Sequence, residues 1–497
     1  MNVSVTRTRD LVGVNAPEII VEADVSAGLP RTVIVGLPET AVREAKDRVH
    51  SAIVNAGFAR ISGKVTVNLA PADLPKQGGR YDLAIAVAVL AADRQLPHDR
   101  IANMEFLGEL ALDGAIRGVK GCLPAVLSTD RTIIVPKDNA TEATIARRPN
   151  VFMAGHLTEL GEQLRSGAFC ALPDVEPPVQ RQQATLDDIH GNQHAKRALS
   201  IAAAGGHNIL FNGPPGSGKT MLANCLPDLM PPPDNDETLA MAAVASVSGT
   251  GFEHDQWKKR PFRAPHHSAS AISLVGGSSP PRPGEITLAH LGVLFLDELP
   301  EFSRHVLEML REPLESGQIM ISRAAYQTRF PADFQLVAAM NPCPCGYFGD
   351  PQGDCRCAIE SIERYQQKLS GPLLDRIDLH VDVPRVAVRD LRAPRPASFQ
   401  SHQTIHKKVI AARERMIGRQ GIHNAALSSA EVSSVCALTT ADTRYLDGAM
   451  DRLGISARGY YRLLKVARTI ADLELSDAMS RRHLAEAISL RQRNLRR

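Results

Sequence analysis

The chain has 497 residues, of which 44% are hydrophobic and 22% are charged, a composition typical of a soluble globular protein. This length exceeds what a single hydrophobic core supports, so we expect two or three domains. Fifty-seven Lys and Arg residues face 54 Asp and Glu residues, which leaves a net charge of +3. A basic surface for nucleic acid must therefore be local.

The hydrophobic segments predict neither a leader peptide nor a membrane span. The first residues, MNVSVTRTRD, lack the apolar core of a signal peptide. The longest apolar run, Leu83 to Ala92, is too short to cross a bilayer and predicts a buried helix. We expect a cytoplasmic protein with no membrane partner, whose cysteines are reduced and serve a metal or catalysis rather than disulfides.

The first third of the chain predicts an α/β domain over residues 1–170. EIIVEADV, TVIVGL and KVTVNLA have the pattern of strands, and AVREAKDRVHSAIVNAG that of an amphipathic helix ending at Gly57. Residues 171–185 are rich in Pro and Gln and predict a linker. Strands and helices then alternate to about Val383, which indicates a parallel sheet and a second domain over 186–384.

The motif GPPGSGKT follows a predicted strand, HNILFN, and precedes a predicted helix, KTMLANCLPDL. This is the context of a phosphate-binding loop, in which backbone N–H groups and the helix N-terminus face phosphate. Lys219 would reach the β- and γ-phosphates of ATP, and Thr220 would hold Mg²⁺. The alternative is a glycine-rich turn without a ligand. The predicted nucleotide-binding residues of the loop are Gly213, Pro214, Pro215, Gly216, Ser217, Gly218, Lys219 and Thr220.

Three further strand ends or turns carry polar residues. GVLFLDELPE predicts a strand ending in Asp297, for Mg²⁺, and Glu298, for water activation; the alternative is a solvated acidic turn. FQLVAAMNP ends in Asn341, which a parallel sheet would place beside the phosphates, where it would orient water or sense the γ-phosphate. Arg376, in LSGPLLDRIDLHVDV, is either an arginine acting on a neighbour's ATP or a member of a surface ion pair.

Half of the eight cysteines lie in one stretch, NPCPCGYFGDPQGDCRC. Two Cys-x-Cys pairs flank a nine-residue loop, and four thiolates in this pattern can surround Zn²⁺. Packing cysteines and redox control are the alternatives. The four residues are Cys343, Cys345, Cys355 and Cys357.

The C-terminal fifth of the chain predicts an all-helical domain over 404–497, after a Pro- and Arg-rich connector over 385–403. The helical segments are HKKVIAARERM, SAEVSSVCAL, ARGYYRLLKVARTIADL and SRRHLAEAISLRQ. The stretch from Arg385 to Arg419 has nine Lys or Arg and two acids, which suits either phosphate contacts or a flexible basic connector.

Taken together, these segments resemble the ComM/YifB family of magnesium-chelatase-like AAA+ ATPases over nearly the whole chain. The resemblance is carried by VGLPETAVREAKDRVHSAI, LPKQGGRYDLAIA, AAAGGHNILFNGPPGSGKTMLA, FRAPHHSAS, LVGG, PGEITLAHLGVLFLDELPEF, LREPLESG, NPCPCGYFGD, CRC, LSGPLLDRIDLHV and SARGYYRLLKVARTIADL. Minor departures are Asn192, where glutamine is usual, and Ala84, where proline is usual.

The resemblance implies a three-part architecture of α/β class. The N-terminal domain would be similar to the Lon protease domain (ribosomal S5 domain 2-like), followed by an AAA+ P-loop core with a parallel sheet and a C-terminal helical lid. In PKQGGRYD, Arg80 stands where the Lon serine would fall, so no peptidase activity is expected. Arg376 matches the family's arginine finger, and Arg458 matches its second sensor arginine.

The resemblance also implies two insertions, near residues 265–285 and 321–332, that touch DNA in the pore of a hexameric ring. Arg323, Tyr326 and Arg329 have a cation–aromatic–cation spacing suited to phosphate contact and base stacking. His266 and His267 suggest a metal pair. Neighbours on one strand face opposite sides of a sheet, however, which favours a loop or packing role.

The function implied is that of an ATP-dependent hexameric DNA motor. Such a motor would migrate branches of recombination intermediates during natural transformation or homologous recombination, on single-stranded and branched DNA. Its cofactors would be ATP, Mg²⁺ and a structural Zn²⁺. The alternatives are a metal-chelatase-type ATPase subunit and an AAA+ protein remodeller.

Overall fold

A computed structural model of the chain describes residues 3–178, 184–278, 281–323, 326–351, 353–387 and 400–491. Part of the predicted linker and most of the predicted connector lie outside these ranges, as do the side chains of Arg323 and Tyr326. The chain divides into two compact units. The first is Met1–Pro178 with Thr238–Trp257, and the second is Val179–Glu237 with Lys258–Arg497.

The strands are numbered in chain order. They are β1 Val3–Arg9, β2 Glu18–Ser26, β3 Arg31–Val35, β4 Lys64–Ala70, β5 Met104–Phe106, β6 Glu109–Leu110, β7 Ile116–Arg117, β8 Thr132–Pro136, β9 Val151–Ala154, β10 Cys170–Ala171, β11 Ile209–Asn212, β12 Phe262–Arg263, β13 Gly276–Gly277, β14 Arg282–Pro283, β15 Val293–Leu296, β16 Gln318–Arg323, β17 Tyr326–Pro331, β18 Gln335–Met340 and β19 Leu379–Asp382.

The α-helices are numbered in the same way. They are α1 Thr40–Arg43, α2 Ala45–Asn55, α3 Asp82–Ala92, α4 His98–Ile101, α5 Cys122–Leu127, α6 Ala140–Thr144, α7 Leu157–Ser166, α8 Gln193–Gly205, α9 Lys219–Asn224, α10 Leu226–Leu229, α11 Asn235–Ser246, α12 Ala271–Val275, α13 Glu285–Leu288, α14 Arg304–Met309, α15 Pro313–Ser316, α16 Ile359–Gln366, α17 Gly371–Leu374, α18 His402–Gln420, α19 Ser429–Val435, α20 Thr440–Leu453, α21 Ala457–Leu473 and α22 Arg481–Ser489.

The first unit is built on a mixed eight-stranded sheet in the order β10-β9-β8-β5-β1-β2-β4-β3. Along β2 every second residue is buried, beginning with Ile19 and Val21, because alternate side chains of a strand face opposite sides of the sheet. Helix α3 is buried at every position, which confirms the buried helix predicted from the apolar run. The three strands expected in this region are also present, whereas the expected amphipathic helix is divided at Glu44 into α1 and α2 and ends at Asn55.

Arg80, at the position compared with the Lon serine, is buried just before α3. Its Nη1 donates to the backbone oxygen of Lys120 at 3.4 Å, and burial lowers the pKa of its guanidinium. Its Nε and Nη2 have no hydrogen-bond partner within the described ranges. The position therefore offers no hydroxyl nucleophile.

The segment Thr238–Trp257 packs within the first unit, although it follows the phosphate-binding motif in the sequence. Trp257 and Ala242 share a hydrophobic cluster with Leu123 and Ile145. The backbone N–H of Gly121 donates to the backbone oxygen of Ser246 at 3.0 Å. The sequence pattern did not indicate this placement, since it depends on which apolar residues meet in the tertiary fold.

The second unit contains the predicted parallel sheet. Its five strands run in the order β12-β15-β18-β11-β19, and every neighbouring pair is parallel. Strand β11 therefore lies between β18 and β19, so its carboxyl end is flanked by the carboxyl ends of both. This topology decides which polar residues meet.

Four of the C-terminal helices begin at residues whose side chains cap the first turn. Ser401, Ser428, Thr439 and Ser456 each accept a hydrogen bond from a first-turn N–H at the start of α18 to α21, and Ser428 forms a capping box with Glu431. The four predicted helices are present. Helix α20 is an addition that the sequence analysis did not expect. No helix in the described ranges is long and apolar enough to cross a lipid bilayer.

Candidate nucleotide-binding site

The loop between β11 and α9 has the geometry of a phosphate-binding loop. Gly216 and Gly218 adopt φ angles of 73° and 94°, in the left-handed region that glycine enters at little cost. The loop leads directly into the N-terminus of α9, where the first N–H groups of a helix are available to an anion. The predicted strand–loop–helix context is therefore present.

Lys219 is held at the centre of this loop. Its Nζ donates to the backbone oxygens of Gly213 at 2.7 Å and Pro214 at 3.0 Å, and to Oδ1 of Asn341 at 3.1 Å. Burial lowers the pKa of the ammonium group, whereas the charges of Asp297 and Glu298 raise it. The cation thus lies close to both acids and to Asn341.

Asp297 and Thr220 provide two neighbouring oxygen ligands. Oγ1 of Thr220 donates to Oδ2 of Asp297 at 3.1 Å. Hydroxyl and carboxylate oxygens are hard ligands of the kind that Mg²⁺ binds beside nucleotide phosphates. The residues present therefore fit a Mg²⁺ ion held by Thr220, Asp297 and the phosphates.

The sheet order explains why these residues meet. Asp297 follows β15 and Asn341 follows β18, and β18 lies between β15 and β11. The carboxyl ends of the three parallel strands therefore place Asp297, Asn341 and the phosphate-binding loop side by side.

Glu298 has a constrained backbone and an exposed side chain. Its φ of 53° and ψ of 46° lie in the left-handed region, which is uncommon for a non-glycine residue. Its backbone oxygen accepts from Glu301 N at 2.7 Å, and its Oε2 lies 3.1 Å from Nδ1 of His267. The contact with His267 was not predicted.

Arg376 lies near the charge of Arg458 and pairs with an acidic side chain of α15. Arg376 is 5% exposed, forms an ion pair with Glu315, and donates from Nη1 to the backbone oxygen of Pro372 at 2.7 Å. Burial lowers its pKa, Glu315 raises it, and the nearby charges of Arg311, Arg458 and Arg462 lower it further. Within the described ranges, neither arginine forms a hydrogen bond or ion pair with Lys219, Asp297 or Glu298.

The hairpin β16–β17 is the second predicted insertion, and it begins earlier than expected, at Gln318 paired with Pro331. Arg329 is exposed, whereas the next residue, Phe330, is buried on the other face of the hairpin. The cross-strand partner of Arg329 is Met320, which is partly exposed. The side chains of Arg323 and Tyr326 lie outside the described residues. Arg329 is thus the one proposed DNA contact whose exposure the structure describes.

The first predicted insertion is a turn followed by α12 and the short pair β13–β14. His266 and His267 lie before α12 and outside the strands, with ring centroids 4.1 Å apart. This position agrees with the loop role favoured by the sequence over a metal pair. No group of three or more metal-ligating side chains found among the described residues includes them.

Two of the arginines near this insertion form ion pairs with acidic side chains, so their charges are balanced within the chain. Arg263 forms two hydrogen bonds with Glu285, at 2.6 and 2.9 Å, and Arg260 pairs with Glu237 at 2.8 Å. Arg282 is exposed.

The four clustered cysteines come together in space. Their sulfur atoms all lie within 4.8 Å of one another, with 3.3 Å between Cys343 and Cys345 and 3.8 Å between Cys343 and Cys355. Zn–S bonds of about 2.3 Å in a tetrahedron imply S–S distances of roughly 3.8 Å. The backbone N–H of Phe348 donates to Cys343 Sγ at 3.3 Å, which supports a thiolate. The cluster therefore fits a structural zinc ion.

The chain matches three family models that together cover most of its length. They are described as magnesium chelatase, subunit ChlI, over residues 185–391, subunit ChlI of Mg-chelatase over 21–139, and magnesium chelatase, subunit ChlI C-terminal, over 400–491. The uncharacterized protein YifB of Escherichia coli is 48% identical, over 99% of this chain and 97% of the relative. The competence protein ComM of Haemophilus influenzae is 47% identical, over 99% and 98%.

The chain belongs to the ComM/YifB family. This confirms the resemblance seen in the sequence, and the parallel sheet with C-terminal helices is consistent with the magnesium-chelatase-like AAA+ fold of that family. A magnesium-chelatase 38 kDa subunit of Rhodobacter capsulatus is a more distant relative, 25% identical over 64% of this chain and 89% of its own. Membership of this AAA+ family indicates ATPase activity.

Proposed function

We propose that this ComM/YifB protein is an ATP-driven ring, hexameric in its working form, that migrates branches in DNA recombination intermediates. One observation supports the ring: among the described residues Arg376 pairs with Glu315 and forms no hydrogen bond or ion pair with Lys219, Asp297 or Glu298. An ATPase whose charge-stabilising arginine is not at its own phosphates needs that group from a neighbour. A closed ring supplies one such neighbour to every site.

The residues at the loop have distinct roles in ATP hydrolysis. Backbone N–H groups and Lys219 hold the phosphates, and Thr220 with Asp297 holds Mg²⁺, which supplies charge neutralisation and orientation. Glu298 takes the proton of the attacking water, and Asn341 orients that water. Arg376 of the adjacent subunit stabilises the negative charge that develops, and Arg458 senses the nucleotide.

The assignment to DNA is supported by the exposed Arg329 on the hairpin β16–β17 and by the competence protein among the full-length relatives. Arg323 and Tyr326 at the hairpin tip are proposed to join Arg329 in contacting phosphates and bases of single-stranded and branched DNA. The N-terminal domain over 1–170 is proposed as a Lon-like scaffold without peptidase activity, and the protein as cytoplasmic.

A chelatase-type ATPase subunit is the second candidate, favoured by the descriptions of the matching family models. In that role ATP hydrolysis would drive metal insertion by a partner and would not respond to DNA. The ATP hydrolysis of a remodeller of protein substrates would likewise not respond to DNA.

Fork-shaped DNA separates these functions. The wild-type chain should displace a strand from a fork in the presence of ATP and Mg²⁺. Glu298→Gln should bind ATP but lose displacement, because the amide cannot take the proton from water. Glu301→Gln is the matched control, since Glu301 lies in the same turn but pairs with Lys368. ATP turnover unchanged by fork or single-stranded DNA, with no displacement, would exclude the DNA motor.

A further inference from the structure

Asn192 lies directly before α8, at the position from which a side chain usually caps the first turn of a helix. An asparagine there normally accepts a hydrogen bond from a first-turn N–H. Among the described residues, the side chain of Asn192 forms no such bond. Its Nδ2 donates instead to the backbone oxygen of Ser217, in the phosphate-binding loop, at 3.2 Å. The side chain thus serves the loop and not its own helix.

The backbone around Asn192 is shaped to present this amide. Gly191 and Asn192 have φ angles of 62° and 47°, and asparagine is one of the few residues besides glycine that enter this left-handed region readily. The backbone N–H of Lys196 donates to the backbone oxygen of Asn192 at 3.1 Å, and Nζ of Lys196 donates to the backbone oxygen of Ile189. The turn before α8 is therefore held at both ends, which fixes the origin of the amide.

The contact fixes the orientation of one peptide group of the loop. The carbonyl of Ser217 and the N–H of Gly218 belong to the same planar trans peptide and point in opposite directions. Because Asn192 holds the carbonyl on one side, the N–H of Gly218 faces the other side. Backbone N–H groups of such a loop are the groups that meet phosphate oxygens. Rotation of this peptide group would turn a carbonyl oxygen, with its partial negative charge, toward the phosphates.

Gly218 leaves this peptide group free to rotate in the absence of a restraint. Glycine changes its backbone angles at little cost, and Gly218 has a φ of 94°. A Cβ atom added to Gly218 would meet no atom of the described residues within 4 Å, so packing does not restrain it. The start of the loop is held separately, since the N–H of Gly213 donates to the backbone oxygen of Met340 at 3.2 Å. Asn192 supplies the restraint in the limb that leads into α9.

We propose that Asn192 is a positioning residue for the phosphate-binding loop, and that it holds the Ser217–Gly218 peptide with its N–H toward the nucleotide. The inference rests on the proposed binding of ATP at this loop, and not on the DNA substrate. ATP and ADP both carry the α- and β-phosphates that such a loop cradles, so loss of the contact weakens the binding of both nucleotides to the same extent.

The test uses the full-length protein, titrated with a fluorescent ATP analogue that unlabelled ATP and ADP then displace. Asn192→Gly keeps the left-handed backbone but has no amide, and it should lower the affinity for both nucleotides about tenfold. Asn192→Asp keeps the shape of the side chain, tolerates the same backbone angles and can cap α8, but its carboxylate cannot donate to Ser217. It should lose at least as much affinity, whereas a purely structural role of Asn192 predicts no loss.

Gln193→Glu is the matched control for the charge that the aspartate introduces. Gln193 is the exposed first residue of α8, so a glutamate there adds a negative charge next to Asn192 and keeps the contact with Ser217. Its affinity should stay within about twofold of the wild type, because an exposed charge is screened by salt.

Steady-state ATP hydrolysis without DNA gives the second readout. Asn192→Gly should raise KM for ATP, whereas kcat at saturating ATP should stay within about twofold of the wild type, because Asp297 and Glu298 remain in place.

Several results would overturn the inference. They are wild-type affinity in Asn192→Gly, a loss in Asn192→Asp that Gln193→Glu reproduces in full, and a fall in kcat without a change in KM. Strand displacement on fork DNA is scored separately. A protein that shows the expected affinities without displacing DNA keeps the role of Asn192 and loses the DNA motor. A wild-type chain that binds neither nucleotide loses both.

Discussion

Gly346, between the two cysteine pairs, packs directly against Pro215 of the phosphate-binding loop. A Cβ atom added to Gly346 would lie 2.5 Å from Cδ and 2.8 Å from Cγ of Pro215, closer than real Cβ atoms approach. Its φ of 85° also lies in the left-handed region. The proposed zinc loop thus supports the proposed ATP site by direct contact.

Gly346→Ala should weaken nucleotide binding while leaving the metal in place. The methyl group must push Pro215 and its loop away, which misplaces the N–H groups that face the phosphates, and we expect about a tenfold loss of affinity. Titration with a fluorescent ATP analogue measures the affinity, and metal analysis of the same sample measures the zinc.

Gly349→Ala provides a matched control for that substitution. Gly349 has a φ of 79°, so alanine suffers similar backbone strain, of about 1 kcal/mol, but a Cβ there meets nothing within 4 Å. Equal losses of affinity in the two variants would show that strain in the cysteine loop, and not contact with Pro215, is responsible.

Purified protein should contain one zinc ion per chain. Replacing one ligand should release it, so Cys355→Ala should lose most of the zinc and unfold at lower temperature. Elemental analysis and thermal denaturation measure the two effects.

Cys170→Ala serves as the comparison, because Cys170 is partly exposed and lies outside the cluster. It should keep both the zinc and the stability. Wild-type protein with less than about half a zinc per chain would contradict a structural zinc site and leave packing or redox roles for the four cysteines.

The residues of the proposed ATP site could be predicted from the sequence because they follow local patterns. A glycine-rich loop between a strand and a helix, and acids at the end of an apolar strand, can each be read in a few residues. The parallel order of the sheet then brings Asp297 and Asn341 to Lys219. Those contacts follow from topology once the strands are known.

The contacts of His267 with Glu298 and of Glu315 with Arg376 were not predicted, because they depend on the tertiary fold alone. His267 was considered as half of a metal pair, and its partner Glu298 lies 31 residues later, on another loop. Glu315 lies in an ordinary helical segment and gains meaning only from Arg376. The placement of Thr238–Trp257 in the first unit has the same cause.

Arg376 is predicted to act on the ATP of a neighbouring subunit. Lys219→Ala and Arg376→Ala should each abolish most hydrolysis when alone, since one loses phosphate binding and the other charge stabilisation. Mixed in equal amounts, the two should recover activity at about one quarter of the interfaces, where an intact Lys219 meets an intact Arg376. Steady-state ATPase assays of the mixture, after subunit exchange, measure the recovery.

The double variant Lys219→Ala with Arg376→Ala, mixed with either single variant, is the control for that experiment. It cannot form a complete interface from the two chains and should give no recovery. Activity in the mixture of single variants no higher than in this control would show that Arg376 acts within its own chain or only stabilises the fold through Glu315.

Asp82 should make the stability of the first unit depend on pH. Burial raises the pKa of this carboxyl to about 6 from 3.8, although Arg48 at 2.8 Å opposes the shift. The folded state therefore holds the proton more tightly than the unfolded chain does. The resulting stabilisation is complete below about pH 4 and is lost as the pH rises through about 6, a change on the order of 3 kcal/mol.

Asp82→Asn should lack this decline, whereas Asp47→Asn, at an exposed carboxylate, should retain it. Trp257, the only tryptophan of the chain, is buried in the same unit, so its fluorescence during urea unfolding at several pH values reports the free energy of unfolding. Parallel pH profiles for wild type and Asp82→Asn would show that the ion pair with Arg48 outweighs burial.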